Sequence, residues 1–321
     1  MDDNSDSTWS LIIRELKIVP LSDIFIHEDA RETRVSALKE RLERDGVQRD
    51  PIIVAPLERG KYKYVHLDGA NRCIALTRLQ YKHILVQVVN YRDGNRVEME
   101  TWCHLFKSSE RGFLGKLNHI NGINYETTSL EGNVVQKAFC ESQVLCLVVF
   151  RRGDRYVITG GAEWIEKVKL LCQVSALYPS DPKRMPFDSG KDAEKQVKDS
   201  FAAEKDADFL LVFPRFTPDD IMDLGAIGER IPAGITRHMI RKRILCVNLP
   251  LSKLGEERTS EEKTTWLTDY LKRDIATGQE IKEPYRPFDE PTIIFQSKCN
   301  ASACKQILTP EDNQLSESRN G

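Results

Sequence analysis

The stretch Tyr64-Val-His-Leu-Asp-Gly-Ala-Asn-Arg72 runs straight into Cys73-Ile-Ala-Leu-Thr-Arg-Leu79. An apolar, β-prone run ends at Asp68-Gly69, and an amphipathic helix is predicted from Asn71 to Leu79. A flexible glycine ahead of a helix leaves backbone N–H groups facing outward, where the helix dipole favours negative charge. With an acid, an amide and an arginine around it, the turn is a candidate anion site, phosphate above all. Asp, Gly and Asn also recur at plain strand-to-helix turns for conformational reasons alone. The flanking segments must therefore decide between the two readings.

Those segments predict a compact mixed α/β unit. A short strand and turn are expected between Glu15 and Ile26. A helix is expected from Thr33 to Asp45, with Val35, Leu38 and Leu42 on one face and Gly46 as its stop. Pro51 to Pro56 and Tyr62 to Leu67 read as strands, as does Ile84 to Val89. Further on, Val97 to Phe106 is expected to be a strand leading into a helix. Leu145–Phe150 and Tyr156–Thr159 read as a hairpin around Arg151-Arg-Gly-Asp154. Trp164 to Tyr178 is an amphipathic helix, and Ala207 to Phe213 a strand. Thr217 should cap a helix whose first residue is Pro218. Arg243 to Pro250 is expected to be one strand, and Ser260 to Ile275 a charged helix with Trp266, Leu267, Tyr270 and Leu271 on its apolar face. The 128–137 region is weakly signalled.

The chain has 321 residues, 40% hydrophobic and 30% charged, enough apolar material for two units sharing an interface. Lys+Arg 47 against Asp+Glu 49 gives −2, without the basic excess or stripe of a dedicated DNA binder. No apolar run is long enough to span a bilayer, and the acidic opening Met1-Asp-Asp-Asn-Ser-Asp6 lacks the features of a secretion signal. A cytosolic protein is expected. None of the eight cysteines forms a CxxC pair, which disfavours a zinc ribbon or a thioredoxin-type site. Most should be buried thiols, with Cys299 and Cys304 in an exposed tail. A Cys103/His104 metal site lacks further ligands at sensible spacing.

Pro20-Leu-Ser-Asp-Ile, His27-Glu28, Arg34-Val-Ser-Ala-Leu, Asp50-Pro-Ile-Ile-Val and Leu67-Asp-Gly-Ala-Asn-Arg-Cys-Ile-Ala-Leu occur in an order that resembles the ParB/sulfiredoxin-like nucleotide-binding fold, over about residues 16–91. The usual turn of that family is Asp-Gly-His-His-Arg or Gly-Cys-His-Arg. Here it reads Asp68-Gly69-Ala70-Asn71-Arg72, without the histidines and without the sulfiredoxin cysteine. Sulfinic-acid reduction is therefore not expected. The resemblance implies that Arg72 contacts nucleotide phosphate, with Gly69, Ala70 and Asn71 completing the cradle. Glu28 lies in a loop ahead of a helix that should pack near the turn. A loop carboxylate beside a phosphate site can deprotonate a hydroxyl nucleophile, although a solvated loop acid would look the same, and Asp29 and Glu32 stand close to it.

The second half carries Ile231-Pro-Ala-Gly-Ile-Thr-Arg-His-Met-Ile240 and Arg243-Ile-Leu-Cys-Val-Asn-Leu-Pro250. It resembles the free L-serine kinases, a subgroup that includes an archaeal ADP-dependent enzyme and enzymes of siderophore clusters. The likeness then spans most of residues 16–252. It implies an ATP- or ADP-dependent enzyme with Mg²⁺ that makes O-phospho-L-serine. It also implies that the Gly234–His238 segment closes over the substrate, with Thr236, Arg237 and His238 on it, and that Trp102 helps line the site. Thr, Arg and His in one glycine-started loop offer donors of three shapes, and Arg can hold an oxyanion bidentately. Arg241-Lys-Arg243 reads as a solvated edge or as substrate-facing charge.

The expected architecture is thus mixed α/β: a disordered 1–15, a ParB/sulfiredoxin-like nucleotide-binding domain at 16–95, a substrate-binding α/β domain at 96–296 and a flexible tail at 297–321. Glu28 is the candidate base and Asp68 the candidate Mg²⁺ ligand or nucleophile-orienting acid. Nucleotide and L-serine are the expected partners; the oligomeric state, homodimer included, is left open. A ParB-like DNA-binding regulator is the alternative, and it requires helix-turn-helix elements after the first unit.

Overall fold

The computed structural model describes residues 13–29, 32–108, 110–128, 137–179, 181–276, 280–282 and 292–296. The expected disordered start lies almost wholly outside these residues, as do the 297–321 tail with Cys299 and Cys304 and most of the weakly signalled 128–137 region.

The strands of the first half are β1 (Leu16–Pro20), β2 (Ile24–Phe25), β3 (Val47–Gln48), β4 (Ile52–Pro56), β5 (Tyr64–Asp68) and β6 (His83–Val88). All but β3 form one five-stranded sheet in the order β1-β6-β4-β5-β2. Its centre is mostly apolar: Ile52, Ile53, Val54, Val65, Ile84, Leu85 and Val86 are buried, with His66 and Gln87 as buried polar exceptions. The helices α1 (Glu32–Asp45) and α2 (Ala70–Arg78) cover one face through Val35, Leu42, Cys73, Ala75 and Leu76, in one cluster with Ile52, Val54, Ile84 and Val86. This periodicity explains why the first unit could be read from sequence: strand residues bury in runs, helix residues every third or fourth.

The second half is built on β7 (Val97–Phe106), which is strand throughout; its helix α3 (Glu110–Leu117) comes only afterwards. There follow β8 (Ile123–Thr127), β9 (Val144–Phe150), β10 (Arg155–Gly160), α4 (Trp164–Ala176), β11 (Lys183–Phe187), α5 (Ala193–Ala203), β12 (Phe209–Val212), α6 (Pro218–Ile227) and β13 (Thr236–Ile240). The seven strands form one sheet in the order β11-β7-β12-β9-β10-β8, with β13 antiparallel to the first half of β7. The region that a DNA-binding reading needs as a helix-turn-helix is occupied by this sheet. The Thr217 cap is formed as expected: its hydroxyl accepts from the Asp220 amide at 3.2 Å, and the Asp220 carboxylate accepts from the Thr217 amide at 2.7 Å.

Two expectations are corrected. Thr236, Arg237 and His238 lie on a strand, not in a loop. Their burial alternates, with Thr236, His238 and Ile240 inward, as a strand paired on one edge requires. Arg243–Pro250 is not one strand but two, β14 (Arg243–Leu245) and β15 (Leu249–Pro250). Left-handed backbone at Cys246 (φ 57°) and Asn248 (φ 52°) breaks it. The segment leaves the second sheet, crosses to the first half and pairs β15 with β3. The Cys246 amide is held by Asp50 at 2.8 Å on the way. The helices α7 (Leu251–Gly255) and α8 (Ser260–Ala276) follow, and α8 seals β1 with Leu267 and Leu271. The described residues end with β16 (Glu280–Lys282) and β17 (Thr292–Gln296), the latter parallel to β14.

Candidate functional site

The turn at Asp68 is fixed by sterics. Gly69 has φ +102°, and a Cβ there would lie 2.6 Å from the Ile52 side chain, so only glycine fits. As N-cap of α2 it supplies no side chain, and no side-chain hydrogen bond caps the helix. Ala70 and Asn71, the first residues of α2, line a cleft of about 630 Å³, within the usual size of small-molecule sites. Arg72 braces the turn, donating to the carbonyls of Asp50 (3.0 Å) and Pro51 (2.8 Å) and to Asp68 (3.0 Å). Its charge faces the cleft, but most of its donors are already engaged.

Asp68 is also gripped by Arg243, at 2.7 Å. Partial burial alone would raise the Asp68 carboxyl; the charges of Arg243 and Arg72 outweigh it and hold the group well below the usual carboxylate range. Asp68 is therefore an ionised carboxylate at any physiological pH.

The opposite wall comes from the second half. Glu28 follows β2 and pairs in parallel with Ile231; the Ile231 amide donates to the His27 carbonyl at 2.9 Å. Both Glu28 oxygens are held from across this seam. Oε2 accepts from the Gly234 amide at 2.7 Å; Oε1 accepts from the Thr236 amide at 2.9 Å and from the Thr236 hydroxyl. Gly234 is in turn fixed by His104, whose Nε2 lies 2.7 Å from its carbonyl. Gly234 is left-handed (φ +73°), and a Cβ would meet the Arg184 guanidinium at 1.9 Å. Arg237 forms an ion pair with Asp188 at 2.7 Å and lies over the Trp102 ring, 5.3 Å from its centroid. Trp102 thus forms wall, not core.

Behind the wall lies a buried group of three histidines, His27, His66 and His238. The His27 and His66 rings are 4.5 Å apart, and those of His27 and His238 5.6 Å. The His238 Nε2 is 2.7 Å from the Tyr91 hydroxyl, so its imidazole is committed to the protein. Burial, reinforced by mutual repulsion, pushes His66 and His238 well below the usual histidine value. Burial also lowers His27, against the upward pull of Glu28.

Every residue singled out from the sequence — Glu28, Asp68, Gly69, Ala70, Asn71, Arg72, Trp102, Thr236, Arg237 and His238 — lines this one cleft. Three arginines were missed as site residues. Arg34 stands in a segment that carries the fold resemblance but marks no site role, Arg184 gives no signal beyond its charge, and Arg243 belongs to a basic triplet that reads equally as a solvated edge. With them the cleft carries five arginines (34, 72, 184, 237, 243) against the carboxylates of Glu28, Asp29, Asp50 and Asp68. Cations thus exceed carboxylates by one along its lining, in a chain of net charge −2, and a cluster of arginines of this kind can hold phosphate oxygens.

No family model matches the chain. It is 23% identical to the ATP-dependent L-serine kinase SbnI of Staphylococcus aureus over 260 residues, 79% of this chain and 90% of that protein. It is 24% identical to the ATP-dependent L-serine kinase of Staphylothermus marinus over 238 residues, 74% of this chain and 90% of that one. The solved structure of SbnI from Staphylococcus aureus with a C-terminal truncation superposes with a TM-score of 0.62 at 20% identity, covering 82% of this chain and 98% of that one. A free serine kinase in complex with AMP superposes with a TM-score of 0.57 at 20% identity, covering 75% and 93%. In sequence the chain is thus similar to two L-serine kinases, and in fold to the solved structures of SbnI and of a free serine kinase.

Proposed function

We propose that the chain phosphorylates the hydroxyl of free L-serine, giving O-phospho-L-serine, with ATP as donor, as the names of both curated relatives state for those enzymes. The observation that carries this reading is convergence. Glu28, the Asp68–Arg72 turn and the Thr236 segment, up to 208 residues apart, face one arginine-rich cleft.

In this reading the α2 amides, Arg72 and Arg243 hold the nucleotide phosphates. The first half, residues 16–95, is the nucleotide side, and 96–296 the substrate side. Serine lies between Glu28 and the Thr236–Arg237 strand, with Trp102 as its wall. Its Oγ attacks the γ-phosphorus; the Oγ–P bond forms while the P–O bond to ADP breaks, and ADP leaves with the electron pair. Glu28 takes the hydroxyl proton. The amides of Gly234 and Thr236 fix the carboxylate against rotation, so the base is oriented before serine arrives. His238 supports the wall through Tyr91 and stays uncharged.

The donor set also fits Mg²⁺. Asp68 is a permanently ionised carboxylate at the phosphate turn, and among the described residues no cluster of three His, Cys, Asp or Glu could cage an ion. That matches the way Mg²⁺ is usually held, by one or two carboxylates and the substrate phosphates. When bound, the ion would offset phosphate charge. Phosphoserine would then feed amino-acid or siderophore-precursor synthesis.

The test is incubation of the chain with L-serine, Mg²⁺ and either ATP or ADP, with phosphoserine read by mass spectrometry. Product is expected; none with either donor overturns the reading. Glu28→Ala should lower the rate by about 10²–10⁴-fold while leaving ADP binding intact. An undiminished rate removes Glu28 from the base role.

A further inference from the structure

The buried histidines differ in what they can do with a proton. His27 Nδ1 lies 2.8 Å from the His66 carbonyl, which can only accept, so Nδ1 carries the hydrogen and Nε2 is the open lone pair of the neutral ring. His66 Nδ1 accepts from the His27 amide at 3.2 Å, and a backbone amide does not give up its proton. His238 Nε2 faces the Tyr91 phenol, whose ionisation burial raises well above the usual value. His27 Nε2 instead faces the Thr236 hydroxyl at 3.1 Å, and the same hydroxyl touches Glu28 Oε1. One hydroxyl hydrogen thus stands between two acceptors, the carboxylate on one side and the imidazole on the other.

We propose that His27 is the second seat of the transferred proton, reached from Glu28 through the Thr236 hydroxyl. The proposal rests on the kinase reading above. Once Glu28 has taken the serine proton, its O–H donates to the Thr236 oxygen while the Thr236 hydrogen moves to His27 Nε2. One proton is displaced in all, and Thr236 ends as it began. A neutral acid and a neutral imidazole become a carboxylate and an imidazolium, with Glu28 Oε1 and His27 Nε2 4.0 Å apart. Both imidazolium N–H groups are satisfied, one by His66 O and one by Thr236 Oγ1. Glu28 regains its charge while phosphoserine is still in place, so the proton cannot fall back onto the new ester oxygen. His27 is 1% exposed and Glu28 15%, so the proton leaves by the way it came, after the product. The titratable groups facing His27 are Glu28 on its own segment, His66 from β5 and His238 from β13. Because burial keeps the resting imidazole neutral, the seat is vacant at the start of each cycle.

Three variants test this in single-turnover reactions. His27→Gln keeps an acceptor near Thr236 that cannot be protonated. Its rate should fall about ten-fold or more, while serine KM and the Kd for ADP stay within about two-fold. The solvent proton inventory in H₂O/D₂O mixtures should change from bowed, with two protons in flight, to straight. Thr236→Val, which breaks the same path from the other end without replacing His27, should also lower the rate and straighten the curve, whatever it does to serine KM, since Thr236 also borders serine and donates to Glu28; Thr236→Ser should restore the bowed curve. These two keep the idea exposed to refutation if His27→Gln does not fold. A straight inventory in the unaltered chain, or a bowed one with undiminished rate in His27→Gln or Thr236→Val, overturns the relay. ¹⁵N shifts of labelled histidine give a check independent of turnover: a resting His27 with its hydrogen on Nε2 also overturns it. If the unaltered chain makes no phosphoserine, the kinase reading fails instead, so the two failures are told apart.

Discussion

Replacing Gly69 with alanine tests whether the phosphate turn is built on sterics. Two costs add. The backbone there is left-handed at φ +102°, which penalises any side-chain-bearing residue by about 1–2 kcal/mol. The new methyl would also stand 2.6 Å from Ile52 Cγ2 and 2.9 Å from Ile52 Cβ. Ile52 is fully buried in β4, so relief requires backbone movement, a cost of about 1–3 kcal/mol in a packed core. The sum is about 2–5 kcal/mol. Gly153, in the β9–β10 turn, isolates the first term: its φ is +111° and nothing lies within 4 Å of an added Cβ. Gly153→Ala should therefore cost only about 1–2 kcal/mol. The entropy that alanine removes from the unfolded chain cancels between the two. Urea denaturation of both variants measures the difference, and ADP titration should show weakened binding only for Gly69→Ala, whose displaced turn carries the Ala70 and Asn71 amides. Equal destabilisation, or unchanged ADP affinity in Gly69→Ala, refutes the steric account.

Stability should also fall on acidification. His27, His66 and His238 all have folded pKa values below those of the unfolded chain, so the unfolded state binds more protons as the pH drops through 6.5. The stability they confer is present above that pH and is lost below it, by about 1.4 kcal/mol per pH unit for each histidine still neutral in the folded state. Thermal melts from pH 8 to pH 5 should be flat above neutrality and fall steeply below about 6.5; a flat profile throughout would contradict the neutral histidine group. Arg243→Ala removes a cation from Asp68 and the turn. It should weaken ADP binding by about 10–100-fold at low salt, the loss of one charge-assisted contact, with a smaller effect at high salt. Calorimetry showing unchanged affinity would remove Arg243 from the phosphate site.

The first half was legible because local rules govern it. Val35, Leu38 and Leu42 mark a helix face, and Asp68-Gly69 can end a strand and start a helix in few other ways. Glu28 and the Gly234–His238 segment were named without any means of seeing that one holds the other. Hydrogen bonds spanning 206 and 208 residues leave no periodic trace in the sequence. Thr236–His238 was expected as a loop because five residues from a glycine are too few to show alternation, and the pairing with β7 that makes them a strand is non-local. Arg243–Pro250 looked like one strand because its composition is apolar and β-prone. The breaks at Cys246 and Asn248 follow from the path to β3 and from Asp50 gripping the Cys246 amide. Arg184 reaches the cleft only because β11 lies beside β7, and β11 itself, Lys183-Arg-Met-Pro-Phe187, carries no strand pattern.

The seam between the two halves has a consequence for economy of turnover. Glu28 belongs to one half, and three donors that hold it belong to the other. Any breathing motion wide enough to let bulk water reach the γ-phosphate also strips the carboxylate of those donors. With Glu28 as the proposed base, that base would be misaligned in the very moments when water could act as nucleophile. The contacts that ready it for an alcohol would then also suppress futile hydrolysis.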